Sequence, residues 1–245
     1  MTPTRQGSVR LFQFRGIEVF LHWSWFLVGA YVLTSRADEY SSPFWNIAEY
    51  LALFVLVLLH EFGHSLACRS VGGHADQIVL WPLGGVAYVA PPQRPGAQLW
   101  SIAAGPLVNV VLVPFLYGAL WLADQRGLYD THPDFVEWLF TLNFINALLL
   151  AFNLLPIYPL DGGQMLRSVL WYFVGPANSL LAATVLGFAG GLALAAFGLH
   201  TGRLWTALLA GFLLFNCWQG FRYARLLRAH LAEQERARAE PPPLG

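Results

Sequence analysis

Charge is what this 245-residue chain has least of: Asp, Glu, Lys and Arg make up 11% of it, against roughly 25% in a soluble domain. Lysine is absent, all fourteen basic residues being arginine, and fourteen acidic residues balance them to a net charge of zero. That balance offers no field to draw a polyanion, so no nucleic-acid partner is expected. Cysteine is scarce as well. Cys68 and Cys217 both fall in apolar helical stretches, which excludes a disulfide scaffold. Cys68 stands one helical turn beyond His64, where it is either a small apolar residue or a soft metal ligand. Internal repeats, long linkers and an appended soluble stretch are missing, and no small-residue cleavage site follows the first apolar run, so that run reads as retained.

Apolar length is what the chain has in abundance. It is 56% hydrophobic and 15% aromatic, with a mean hydropathy of +0.50. Apolar runs at 17–34, 47–71, 98–123, 135–155, 178–198 and 203–224 approach the ~20 residues a helix needs to cross a bilayer. The expected architecture is an all-α, multi-pass membrane protein of about six transmembrane helices. Residues 1–16 read as a cytoplasmic tail, 17–224 as one transmembrane domain, and 225–245 as a second cytoplasmic tail that stops at three prolines. With both ends in the cytosol, only Arg36, Arg126 and Arg203 lie outside and the other arginines inside, as the positive-inside rule requires.

One stretch does not read as a span. "ADQIVLWPLGGVAYVAPPQRPG", 75–96, is rich in β-branched and aromatic residues and is broken by Trp81-Pro82 and Gly84-Gly85. It is either an ordinary cytoplasmic loop or, as expected here, a short re-entrant β-hairpin between helices 2 and 3. Such a hairpin survives at the inner membrane surface only where protein or water satisfies its backbone.

The second run contains "LLHEFGHSLA", 58–67. His60 and His64, four residues apart, stack on one helix face close enough to grip one metal ion. Glu61 beside them can take a proton from a water on that ion, which makes this the spacing of zinc hydrolysis. A pair of structural histidines would explain the spacing too, but ionisable groups at membrane depth cost a few kcal/mol each, an expensive way to pack helices. Zinc needs a third protein ligand. Asp161, in "NLLPIYPLDGGQ", stands where Pro156, Pro159, Gly162 and Gly163 interrupt helix geometry near the inner end of the fourth run. It is either that ligand or the N-cap of a helix starting at Gly162.

Three ordered motifs carry a resemblance: "HEFGH" at 60–64, "AAGPLVN" at 103–109 and "NLLPIYPLDGG" at 153–163. In these the chain resembles the site-2 protease family of intramembrane zinc metalloproteases, in a compact form without an inserted PDZ or appended CBS module. The resemblance covers most of the chain, from "GIEVFLHWSWF" at 16–26 to the last run. It implies one zinc ion held by His60, His64 and Asp161, Glu61 as general base, Asn109 and Asn153 as polar groups near the active site, and Gly105 and Pro106 shaping a close helix contact. It also implies a transmembrane protein substrate such as an anti-sigma factor, a tethered transcription factor or a remnant signal peptide, cut in a bacterial cell membrane. Segment 76–90 would offer a backbone edge to an extended substrate, with Gly84 and Gly85 permitting close approach.

A non-hydrolytic zinc transporter or sensor in the membrane is the competing class, and it would have no use for Glu61. A membrane CAAX-processing peptidase shares the H-E-x-x-H pattern, but "PLDGG" argues against it, since that enzyme type draws its third ligand from a Glu. His22, beside Trp23 and Trp25, reads as an interfacial or bundle-facing histidine. Asn143, Asn146 and Asn153 fall along one helix stripe of the kind that joins helices. His74, His132 and His200 fall in expected loops.

Overall fold

The computed structural model describes residues 7–81 and 84–239. The chain divides into two compact units, Met1–Phe152 and Asn153–Gly245. Among the described residues, five helices are long and apolar enough to cross a membrane.

The first unit opens with two strands, β1 (Ser8–Phe14) and β2 (Ile17–His22), followed by α1 (Trp25–Ser35) and α2 (Pro43–Ser70). Then come β3 (His74–Trp81), β4 (Gly84–Ala90), α3 (Pro95–Gln125), the single turn α4 (Leu128–Thr131) and α5 (Pro133–Asn153). The expected hairpin between helices 2 and 3 is present as β3 and β4, and it is half of a four-stranded sheet in the order β1-β2-β3-β4. β1 pairs antiparallel with β2, β2 parallel with β3, and β3 antiparallel with β4.

Residues 17–34 are therefore not one span. Their first third is β2 and the rest is the 11-residue α1, which at 1.5 Å per residue reaches only about 16 Å. Hydropathy reads the apolar "GIEVFLHWSWF" as a single run because pairing with a strand more than fifty residues away leaves no local trace. Flanked by β1 and β3, the strand is buried on both faces: Ile17 and Val19 wholly, Phe20 and His22 nearly so. Residues 8–14, composed like a tail, form β1, with Val9, Leu11, Phe12 and Phe14 exposed.

Ile17, Val19, Ile78 and Leu80 of the sheet pack with Trp25, Val57 and Leu58 in one apolar cluster. Val57 and Leu58 sit immediately before His60, so the same turn of α2 that seats on the sheet carries the histidine pair. Ser42 starts α2 by accepting the Phe44 N–H on its hydroxyl, with Pro43 at the first helical position, the arrangement both residue types favour. α2 also packs on α3. Their backbones approach closely because Gly63 has no Cβ; one placed there would lie 2.6 Å from the Ala104 carbonyl oxygen.

At the other end of α2, Glu49 is buried and ties the helix to the loop before it. Its carboxylate takes the Arg36 guanidinium at 2.8 Å and the Tyr40 hydroxyl at 2.7 Å. Ser41 next door donates its N–H to Asp134 at the start of α5. The polar loop 36–42 is thereby tied to α2 and α5.

The second unit is α6 (Asp161–Thr201) and α7 (Leu204–Ala239). Forty-one helical residues would reach about 60 Å, twice the hydrocarbon core, but Gly175 has φ 77° and ψ 173° and Pro176 follows it. The chain reverses there. The Tyr158 carbonyl oxygen lies 2.8 Å from where a Gly187 Cβ would stand, which a straight helix would hold roughly 40 Å away. With arms of residues 161–174 and 176–201, the second arm runs back past the start of the first. α7 returns along the second arm, Gly191 meeting Leu214 and Gly220 meeting Thr184. Residues 225–239 continue α7, as expected of a helix running on from the last span; the three prolines lie outside the described residues.

Candidate metal centre

His60, Glu61 and His64 are all buried, at 3%, 6% and 8% exposure. The two imidazole planes stand at 82° with their Nε2 atoms 3.1 Å apart. What faces the other ring nitrogens decides their chemistry. His64 Nδ1 lies 2.9 Å from the backbone carbonyl of Ser101, and His60 Nδ1 lies 2.6 Å from Oδ1 of Asn109. Both partners are acceptors, so each Nδ1 carries the proton and each Nε2 presents a lone pair. Two lone pairs aimed at one another in a buried place repel unless a cation lies between them. Their separation is close to the about 3.3 Å that a tetrahedral zinc with ~2.05 Å bonds imposes on two nitrogen ligands.

Gly105 of α3 keeps that space open. A Cβ there would overlap His64 Nε2 and lie 2.8 Å from His60 Nε2. The cradle, the facing Nε2 atoms and the fixed tautomers fit a metal ion. Two imidazoles suit zinc as donors and leave positions for a carboxylate and a water; Asp161, the carboxylate the sequence points to, belongs to the second unit.

Asn109 is wholly buried and donates its Nδ2 to Asn146 Oδ1 at 2.9 Å, while Asn146 Nδ2 donates to the Asn109 backbone carbonyl at 3.0 Å. The stripe of asparagines on α5 thus splits. Asn146 reaches across to α3, whereas Asn143 bonds back to Leu139 of its own helix. The spacing of the asparagines could not show which of them touches Asn109.

Asp161 is the first residue of α6 and half-buried, with Leu160 at the N-cap position. Gly163 lets the 154–160 backbone close on that first turn, a Cβ there lying 2.7 Å from the Ile157 carbonyl oxygen. Asn153 ends α5. Gly84 and Gly85 face Trp81 and Leu80 across the β3–β4 pair, on a strand at the sheet's edge. Cys68 turns its thiol to the His74 carbonyl at 3.4 Å. His22 stacks on Trp81, centroids 3.8 Å apart, and bonds Ser24.

A model of peptidase family M50 matches residues 48–125 and 125–197. The chain belongs to peptidase family M50. This M50 chain is 33% identical over 215 residues to a zinc metalloprotease of Methanocaldococcus jannaschii, covering 88% of this chain and 61% of that protein. The stage IV sporulation protein FB of Bacillus subtilis is 35% identical over 118 residues, 47% of this chain and 38% of that one. Among solved structures, the site-2 protease from Methanocaldococcus jannaschii superposes with a TM-score of 0.63 at 30% identity, covering 87% of this chain and 95% of that one. The M50 chain thus spans about three-fifths of the length of the archaeal metalloprotease it matches, and its long apolar helices are those of an integral membrane protein.

Proposed function

We propose that this chain is a zinc-dependent intramembrane endopeptidase that cuts membrane-tethered proteins in or beside their transmembrane segments, with residues 17–224 as its catalytic domain. His60, His64 and Asp161 hold the zinc and Glu61 is the general base. The observation that carries this reading is the pair of buried imidazoles whose Nδ1 protons are committed and whose Nε2 lone pairs face each other at 3.1 Å. Zinc bound there supplies a Lewis acid that polarises the scissile carbonyl and acidifies a water. Glu61 accepts that water's proton and returns it to the leaving amine. The backbone of β4, at the sheet edge, takes the unwound substrate as one more strand, Gly84 and Gly85 admitting it closely. Asn153 stands at the head of the segment leading to Asp161 and supports substrate beside it. Substrates of the anti-sigma factor, tethered transcription factor or remnant signal peptide type fit this chemistry, in a bacterial membrane with both chain ends cytoplasmic.

A zinc transporter or sensor would need the ligands and not Glu61. In cells producing the Glu61→Gln form, small membrane proteins that the wild type degrades should accumulate, while the purified variant keeps its zinc. Turnover of those proteins at the wild-type rate by the variant would refute the protease reading.

A further inference from the structure

We propose that Asn146 is a positioning residue for His60: working through Asn109, its amide holds the imidazole in the tautomer that can bind a metal. The proposal rests on the reading of His60 as a metal ligand.

The hydrogen bonds that join these three residues have a direction. A backbone carbonyl only accepts, so the group of Asn146 that meets the Asn109 carbonyl at 3.0 Å is its nitrogen. That leaves Asn146 Oδ1 facing the side chain of Asn109 at 2.9 Å, and an oxygen there requires the Asn109 nitrogen opposite it. Asn109 Oδ1 is then turned to His60 Nδ1 at 2.6 Å. Facing an acceptor, Nδ1 keeps the proton and Nε2 keeps the lone pair. If the Asn109 amide were reversed, its nitrogen would face Nδ1, the proton would move to Nε2, and His60 would have to give that proton up before Nε2 could take a metal.

The relay is closed to solvent, Asn109 and Asn146 being 0% and 1% exposed, and it crosses from α3 to α5. His64 needs no such relay, because its Nδ1 meets the Ser101 backbone carbonyl directly. The two candidate ligands are therefore oriented by different means: one by a backbone group of α3, the other by a pair of amides that ends on one.

The experiment is a zinc titration of purified full-length protein in detergent against a chromophoric chelator. Asn146→Leu should raise the zinc dissociation constant about 10–100-fold, the scale on which partners behind a ligand act. Asn143→Leu, one turn away, should leave it unchanged. Asn109→Leu should weaken zinc binding at least as much as Asn146→Leu, and the double variant should be no worse than Asn109→Leu alone, because one residue acts through the other. Nitrogen-15 spectra of the zinc-free protein should show His60 with its proton on Nδ1 in the wild type and shared between tautomers in the variant. Should Asn146→Leu not fold, Asn146→Ala, which removes the same acceptor with less bulk, is read in its place. A variant that melts lower but binds zinc as the wild type does would make Asn146 a helix joint and overturn the proposal. A wild type that binds no zinc would instead bring down the metalloprotease reading beneath it.

Discussion

Gly105 shows how far a site of this kind depends on a single hydrogen atom. Any Cβ on that residue would crowd both Nε2 atoms, so Gly105→Ala should abolish zinc binding while the chain still folds, read by metal analysis of the purified variant. A zinc-loaded Gly105→Ala protein would show that the space is not where the metal sits. The histidine pair and Glu61 were legible in the sequence because a helix turns a four-residue interval into a shared face, a purely local fact. Asn146 was legible only as polar. Its pairing with Asn109 depends on how α3 and α5 pack, and Asn143, one turn away, bonds back to its own helix. Tyr40 belongs to the same scale, and its effect is on pH dependence. Burial, aided by the Glu49 charge, pushes its phenol up to about 12. A group whose folded pKa is raised stabilises the fold fully below its ordinary value of 10 and loses that contribution as pH climbs through the folded value. Wild-type melting temperature should therefore fall between pH 10 and about 12 more steeply than that of Tyr40→Phe; parallel profiles would refute the assignment.

At the scale of elements, the hairpin and the long helices followed from composition and the four-stranded sheet did not. β3 ends two residues before β4 begins, so their pairing is local. β2 joins β3 only after α1 and α2 have intervened, and its apolar residues pass for half of a transmembrane helix. Hydropathy also marked the break before 178 without giving its cause, which is the backbone of Gly175. Its φ of 77° with ψ of 173° is a conformation open essentially to glycine alone, and no atom lies within 4 Å of where a Cβ would stand. Gly175→Ala thus tests the backbone by itself. It should cost about 1–3 kcal/mol, whereas Gly211→Ala, in equally open space within α7, should be neutral or stabilising by up to about 1 kcal/mol. Paired unfolding measurements that gave the two variants the same stability would show that Gly175 is not what bends α6.

For the whole molecule, the exposed surface decides the solvent. Phe115 is 69% exposed, Phe173 80% and Leu199 78%, on three separate arms of helix. Side chains of this kind, repeated over α3, α6 and α7, would drive aggregation of a soluble chain and are what a bilayer solvates. The bilayer then leaves orientation to the arginines. Arg126 and Arg203 follow α3 and α6, in connections expected outside, while Arg69, Arg94, Arg222, Arg225 and Arg228 fall on segments expected in the cytosol. Transfer of that larger group across a membrane is the step the positive-inside bias forbids. In a chain with Cys68 and Cys217 replaced by Ala, an impermeant maleimide applied to intact cells should label Asp130→Cys in the α3–α5 connection and spare Ala229→Cys on α7. Permeabilised cells should label both. Labelling of position 229 alone in intact cells would invert the orientation and overturn the cytoplasmic placement of the chain ends.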